Sequence, residues 1–539
     1  MVLGGGIVGA VEAYNALRDA DLKKDDLRII ICEQNSKVAD TTSYSLFPSL
    51  TPDEILSVVP RGNELVSRLR TLFSEPSGIR VDDVPGISDS ETSKFFISEV
   101  ERYSADQEGH EQRTKALLEL GKESMDLWQK FYDSADPELK KILIESNFNP
   151  CREISEEKLA LRKGYRIDLI YSIPNAKQRA LNMQRDYQAL GYKRCALLSP
   201  DEVVRLDPYL ANFCKQHSQL NSTGEREWSS DTAALFRPGG CIDTRIFLPK
   251  FYEYMRKKMG VFVNQRGEKK ERFELKFGAK VTSLQFDKNS CGEMIITGIS
   301  INGERFELDS DRACEFVFCP GESVGTLKQL GLSEPAYARF AGASLTLFVD
   351  LPKEKIDQYR DFNHCMEVHQ EGVVLAWQAR FIENRICIGV AGTKAFYGDK
   401  KPTKEEAFAR NRNLLQLNMI NDVLPDFISI AMNRDTFGKK LTEEDLFFLE
   451  SRGIAHRWVG TRAVAYDGFP SVGHVYHENC KVINARCTTH LGSGGVSFCH
   501  GAAAASRSIF DDSVLPPDLI KRITRFGDSS RSACTTGLH

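Results

Sequence analysis

Apolar residues open the chain in a pattern that changes period twice within 35 positions. Val2-Leu3 is a short apolar pair, a glycine-rich stretch follows, and Ile7 to Ala20 places its apolar residues at helical spacing. The run Arg28-Ile29-Ile30-Ile31-Cys32-Glu33 is then apolar without alternation and closes on an acid, which suits a parallel strand buried on both faces. Strand, helix and strand make a β-α-β unit, and the brevity of the first strand predicts further residues upstream of Met1. Residues 111–134 set Leu117, Leu118, Leu120, Met125, Trp128, Phe131 and Tyr132 mainly on one helical face, a core-packing stripe. In LLSPDEVVRLDPYL (197–210), Ser199 is a cap, Pro200 takes the first helical position, and acids fill the first turn. FGAKVTSLQF, EMIITGISING and CEFVFCPG read as strands separated by turns, and residues 353–380 with NRICIGVAGT continue the β-rich pattern. TKEEAFARNRNLLQLNMINDVL is another amphipathic helix, and the last 20 residues read as a frayed polar tail. Strands and helices mix throughout without an internal repeat. The expected class is α/β, with a second sheet assembled from separated segments.

Length and composition narrow this picture. At 539 residues the chain exceeds one typical core, so two domains or one large two-layer enzyme is expected. A formal net charge of -4 argues against a nucleic-acid partner. No stretch approaches the roughly 18 apolar residues of a membrane-spanning helix, while surface attachment to a membrane stays open. The 14 cysteines are scattered without a C-x-x-C pair, which reads as reduced core thiols of a cytosolic protein. The histidines are not at ligand spacing from them, so no metal site is expected.

Gly4-Gly5-Gly6-Ile7-Val8-Gly9 fits G-x-G-x-x-G, and its setting between a strand and a helix gives each glycine a mechanical task. Gly4 permits the tight turn, Gly6 lets a pyrophosphate approach the backbone, and Gly9 lets helix and strand pack closely. The exposed amides and the positive helix end hold the phosphates. Glu33, which Gln34 follows, stands 24 residues after Gly9, where its carboxylate accepts both hydroxyls of an adenosine ribose and repels a 2′-phosphate. NAD and FAD both satisfy this fingerprint.

Several distant segments bear on that choice: ADTTSYSLFPSL, FRPGGCIDTRIF, WVGTRAVAYDGFPSVGHV and RCTTHLGSGGVSFCHGAAAA. Together they resemble the FAD-dependent D-amino-acid oxidase superfamily, which includes glycine oxidase and the sarcosine oxidases and dehydrogenases. The family's G-x-R-P becomes Gly460-Thr461-Arg462-Ala463, and its D-G-x-P-x-x-G becomes Asp467-Gly468-Phe469-Pro470 with Gly473. Its final glycine turn becomes Gly492-Ser493-Gly494-Gly495-Val496 at the start of an apolar helix. The islands run in family order over residues 2–510. The resemblance implies a Rossmann-like FAD-binding domain of the GR2 type, interleaved with an α+β substrate domain on a mixed or antiparallel sheet. The FAD-binding parts would be 1–95, 235–335 and 455–512, the substrate parts 96–234 and 336–454, with a tail at 513–539.

By the same resemblance, the helix start at 492–496 faces the pyrimidine edge of the flavin ring. Thr41, Thr42 and Ser43 help hold the phosphates and ribityl chain, the Val281 backbone reads adenine, and Gly321 turns near the cofactor. Tyr44 stands in the neighbourhood where some relatives carry a flavin-linking histidine, so non-covalent FAD is expected. Arg462 would grip a substrate carboxylate, although Ala463 replaces the family's proline. His490 is the nearest candidate base, one position before the family's histidine site at Leu491, and His456 is a weaker one. The implied activity moves a hydride from a small amino acid, secondary amine or hydroxy acid to flavin N5, with oxygen or a quinone as final acceptor. The enzyme would be cytoplasmic, with peripheral contact to the inner face of a membrane left open. A quinone-linked malate- or glycerol-3-phosphate-type dehydrogenase and a degenerate flavin-binding module are the alternatives.

Overall fold

A run such as Ile29–Cys32, apolar on every side chain, needs cover from both sheet faces and both neighbouring strands. It pairs in parallel with Phe273–Lys276 on one side and Val2–Leu3 on the other. The computed structural model describes residues 1–23, 26–37, 49–52, 79–80, 94, 96, 98, 107–149, 151, 165–263, 267–308, 314–323, 325–333, 337–359, 363–370, 373–382, 384–398, 400–403, 406, 414–424, 440–465, 470–491 and 495–508. Beyond Val2–Leu3 the first sheet continues through Phe316–Phe318, Cys480–Thr489, Met294–Ile301 and Val281–Lys288. The central strands are parallel, and the antiparallel additions Val281–Lys288, Glu304–Glu307 and Ser471–His477 finish that side. Helices Ile7–Lys23, Gln107–Ser134, Thr244–Tyr254 and Gly495–Ser508 cover one face, sharing a core built around Trp128, Phe131, Phe247 and Phe251.

The second sheet runs in the order Ala455–Ala465, Tyr337–Asp350, Arg385–Gly398, Val373–Ile382, Asn363–Gln370, Tyr165–Ile170, Ala233–Pro238, Ala196–Leu198. It is antiparallel except where Asn363–Gln370 meets Tyr165–Ile170 and where Ile79–Arg80 meets Arg385–Gly398. Leu345, Leu347, Val349, Ile386, Ile388, Val390, Met366 and Val368 share one face and one apolar cluster with the helices Leu414–Val423 and Glu443–Ser451. Both sheets draw on alternating stretches of chain. Ala233–Pro238 and Ala455–Ala465 belong by hydrogen bonding to the second sheet.

Local signals act where the sequence places them. Ser199 and Glu202 form a capping box with Pro200 at the first helical position. The stripe read at 111–134 lies within one helix, Gln107–Ser134. One expectation changes: 353–359 is not β but a 3₁₀ turn, Lys353–Lys355, leading into Ile356–Tyr359. Pro352 fixes the chain direction there, and Lys-Glu-Lys offers no apolar alternation for a strand. The β pattern resumes at Asn363.

Candidate flavin crevice

The first glycine turn is held by backbone on every side. Gly4 has a φ of +115° and donates its amide to the Cys32 carbonyl at 2.9 Å. A Cβ on it would lie 2.2 Å from the Cys319 carbonyl oxygen. A Cβ on Gly9 would lie 2.0 Å from the Gly4 carbonyl oxygen, so the helix rests directly on its own leading turn. The first helical hydrogen bond runs from the Ala10 amide to the Gly6 carbonyl at 3.0 Å. A helix that begins there turns its leading amides, from Gly6 to Gly9, toward the crevice. Glu33, 8 % exposed, accepts the Gly5 amide on Oε2 at 2.7 Å and the Asn35 amide on Oε1 at 2.8 Å. A carboxylate has about four lone-pair positions, so capacity remains for ribose hydroxyls.

Other expected residues gather around Glu33. The Gln34 amide group donates to Ser323 Oγ at 2.9 Å, in the turn that begins at Gly321 with a φ of +56°. The Gly278 and Ala279 amides donate to the Asn35 and Glu33 carbonyls, both at 2.9 Å, and so bring the start of Val281–Lys288 alongside. Thr41, Thr42, Ser43, Gly492, Ser493 and Gly494 lie outside the described residues.

The second helix start reaches the same edge by strand register. Cys32, Leu3, Phe318 and Cys487 form one cross-strand row, and all four strands are parallel. Their carboxyl ends therefore deliver Glu33, the Gly4 turn, the Gly321 turn and the approach to Gly495 to one crevice about 14 Å wide. Helix Gly495–Ser508 packs against both Ile7–Lys23 and Gln107–Ser134. Val8 packs beside Leu491 and Phe498, while Val496 shares a cluster with Ile7 and Val11. Trp128 Nε1 donates to the Val496 carbonyl at 3.1 Å, and Ser124 Oγ to the Ser497 carbonyl at 2.6 Å. A Cβ on Gly495 would meet nothing within 4 Å among the described residues.

The expected reacting residues approach by a single bridge, Val464 to Leu491. Side chains alternate across a strand, so Arg462 shares Val464's face and His490 takes the other. Arg462, half-buried, is the register partner of Phe340, which packs against Phe96 and Phe396 at 6.3 and 5.4 Å. His490 is buried with a φ of +59°, stacks on Tyr337 at 5.4 Å and makes a 2.7 Å hydrogen bond through Nδ1 with Ser471 Oγ. Its buried Nε2 has no hydrogen-bond partner among the described residues. Burial, helped by the Arg339 charge, pushes the imidazole down to about 3, leaving it neutral at physiological pH. His456 is exposed near the far end of its strand, eight residues from the bridge. The structure thus places Arg462 and His490 on neighbouring segments but on opposite faces.

Over residues 1–507 the chain matches the family model described as FAD dependent oxidoreductase. The chain belongs to that family. Solved structures with the same fold include glycine oxidase from Bacillus cereus ATCC 14579, 13% identical, with 96% of each chain covered and a TM-score of 0.52. L-proline dehydrogenase from P. horikoshii is 12% identical, with 99% of this chain and 97% of that one covered and a TM-score of 0.53. Fructosyl peptide oxidase from E. terrenum is 14% identical, with 98% and 94% covered and a TM-score of 0.51. No curated protein matches the sequence.

The crevice of this FAD-dependent oxidoreductase fits its cofactor. Bare glycine backbone lines the first helix start, no described residue crowds Gly495, and an acid stands at the carboxyl end of the second strand. No helix among the described residues is long and apolar enough to cross a membrane. The sequence reading did not find Ser471, Tyr337 or Arg339. Arg339 had a signal, being the one charged residue between Tyr337 and Val349. Also missed was a buried ionic cluster in the second sheet. Arg166 and Arg237 each stand 2.8 Å from a Glu367 oxygen, and Arg237 also pairs with Asp168. Against the burial that pushes it up, the two guanidiniums hold the Glu367 carboxyl well below the usual range. Asp168, Glu367 and His369 are close enough together to hold a metal ion, but those guanidiniums already neutralise the carboxylates.

Proposed function

We propose that this oxidoreductase removes a hydride from the carbon beside the nitrogen of a small amino acid or secondary amine bearing a carboxylate. The observation that carries the reading is the cross-strand row Cys32–Leu3–Phe318–Cys487, which brings both helix starts to one crevice. Bound non-covalently, FAD would supply the hydride acceptor. The amides from Gly6 to Gly9 would hold its diphosphate, Glu33 would take its ribose, and the helix start at Gly495 would serve its ring. Arg462 offers a planar fork to the substrate carboxylate and so fixes the reacting C–H bond.

His490 favours an amine over a hydroxy acid, since it lies on the face opposite Arg462 and offers no strong base there. Oxidising a hydroxy acid calls for a base whose pKa lies near the working pH, and an imidazole held at about 3 is too weak for that task. A neutral amine needs no such base. Glycine and L-proline, named for two of the structural relatives, are amines of this class. An anaerobic screen of amino, N-methylamino and hydroxy acids, read by flavin bleaching, tests the reading. Amines should bleach the flavin and hydroxy acids should not; bleaching by hydroxy acids alone would overturn it. Reoxidation with oxygen or with a quinone then identifies the acceptor.

A further inference from the structure

Side chains alternate along the edge strand Ala455–Ala465, and its two faces meet different surroundings. Arg457 turns to the helix Glu443–Ser451 and pairs with Glu450 at 2.7 Å. Trp458, Gly460 and Arg462 share the other face, the one given above to the substrate carboxylate. On the neighbouring strand Tyr337–Asp350 their register partners are Ser344, Gly342 and Phe340. Two glycines therefore face each other between the tryptophan and the arginine, and make a trough with no side chain of its own. The indole leans into that trough. A Cβ on Gly460 would lie 2.2 Å from Trp458 Cη2 and 2.4 Å from its Cζ3, so the benzo ring occupies the place of the missing side chain. At the other end Phe340, opposite Arg462, is buried against Phe96 and Phe396, at 6.3 and 5.4 Å between ring centroids. Gly460, Thr461 and Ala463 are buried, whereas Trp458 and Arg462 each keep part of their surface open.

We infer that Trp458 sets the length of the substrate, by walling the trough opposite Arg462. This rests on Arg462 as the carboxylate holder and adds a limit to what that arginine can accept. From the indole over Gly460 to the Arg462 backbone is two residues of extended chain, about 7 Å. A carboxylate, its α-carbon and a short side chain or N-substituent fill that space. A longer group must displace the indole, which already lies on the Gly460 backbone and cannot retreat toward the strand. The ring also offers apolar surface to whatever meets it. The substrate class is thus a short amino acid with one carboxylate, or its short N-alkyl counterpart, whose far end is apolar.

The test uses full-length, FAD-loaded wild type, Trp458→Phe, Trp458→Ala and Gly460→Ala. Each meets two series: α-amino acids with unbranched side chains of increasing length, and N-alkylglycines of increasing length. Anaerobic flavin reduction, followed against concentration, gives a rate and an apparent affinity for every member. The wild type should favour the shortest members and lose efficiency steeply along each series. Trp458→Ala should raise the long-to-short ratio of efficiencies by about tenfold or more, the scale on which a pocket separates neighbouring homologues. Trp458→Phe should raise it by a few-fold, and carries the test should Trp458→Ala not fold. Gly460→Ala should lower the ratio, because its methyl group drives the indole into the trough. Loss of packing alone would not give shifts of opposite sign from two residues in contact. A length preference unchanged in the folded, flavin-loaded Trp458 variants, or a wild type that favours the longest members, would overturn the inference alone. A wild type reduced by no member of either series would overturn the amine reading and the inference with it.

Discussion

Gly9→Ala adds one methyl group where the first helix rests on its own turn. The new Cβ would stand 2.0 Å from the Gly4 carbonyl oxygen and 3.3 Å from Val2 Cγ1. Carbon and carbonyl oxygen approach no closer than about 3.3 Å, so helix or turn must move by about 1.3 Å. Neither can yield by rotating a side chain. Gly4 is tied to the Cys32 carbonyl by its amide at 2.9 Å and backed by the Cys319 carbonyl, which a Cβ on it would meet at 2.2 Å. Overpacking of this kind costs about 1–3 kcal/mol, a loss of a few degrees in Tm for a chain this large. The same displacement takes the leading amides out of hydrogen-bond range of a phosphate. At about 1.5–3 kcal/mol for each bond to a charged group, FAD affinity should fall by about 10- to 100-fold. Titrating apoprotein with FAD gives the affinity, and thermal unfolding of the apoprotein gives the packing cost separately. Gly5→Ala is the milder comparison, because its added Cβ would meet Glu33 Cβ and Oε2 at 3.0 Å, a tight contact rather than an overlap with backbone at 2.0 Å. If Gly9→Ala kept wild-type affinity and wild-type Tm, the helix could not rest on the turn as described.

At the other helix start, Gly495→Ala should leave apoprotein stability unchanged, because the added methyl meets nothing within 4 Å among the described residues, yet weaken FAD binding. Equal FAD affinity would mean that no ring approaches this residue. Glu367→Ala removes the carboxylate that Arg166 and Arg237 share and should cost about 3–5 kcal/mol in denaturant unfolding. A loss below about 1 kcal/mol would show the cluster to be hydrated rather than buried. His500 packs edge-on to Trp128 at 4.3 Å between ring centroids, and burial pushes its imidazole down to about 3. Below an unfolded pKa of about 6.5 the unfolded chain binds a proton that the native protein does not, so stability falls with pH until about pH 3. Relative to His500→Phe, the wild type should lose about 1.4 kcal/mol per pH unit between about pH 6 and pH 4; parallel stability curves would refute that burial.

The parts of the fold legible in the sequence are those in which local pattern and structural cause coincide. Gly9, pressed against the Gly4 carbonyl, and the cap at Ser199 each act within a few residues of themselves. Arg339, Tyr337, Ser471 and His490 meet only through strand pairing across about 150 positions, which periodicity does not record. The face on which Arg462 lies depends on register, so the sequence could nominate the residue but not say which compartment it enters. Segment 353–359 was misread because its β-rich surroundings outweighed the lack of alternation in Lys353–Lys355. The buried ionic cluster escaped notice for a related reason. Arg166, Asp168, Arg237 and Glu367 each look like ordinary strand polar residues until three strands stack them on one covered face.

Hydrogen–deuterium exchange of the apoprotein with and without FAD, read by mass spectrometry, tests most directly whether two helix starts serve one cofactor. FAD should slow exchange in peptides covering 4–10 and 492–499 together, at the same half-saturating concentration, and leave the Glu443–Ser451 helix unaffected. Protection of only one of the two segments, or protection at different FAD concentrations, would contradict it.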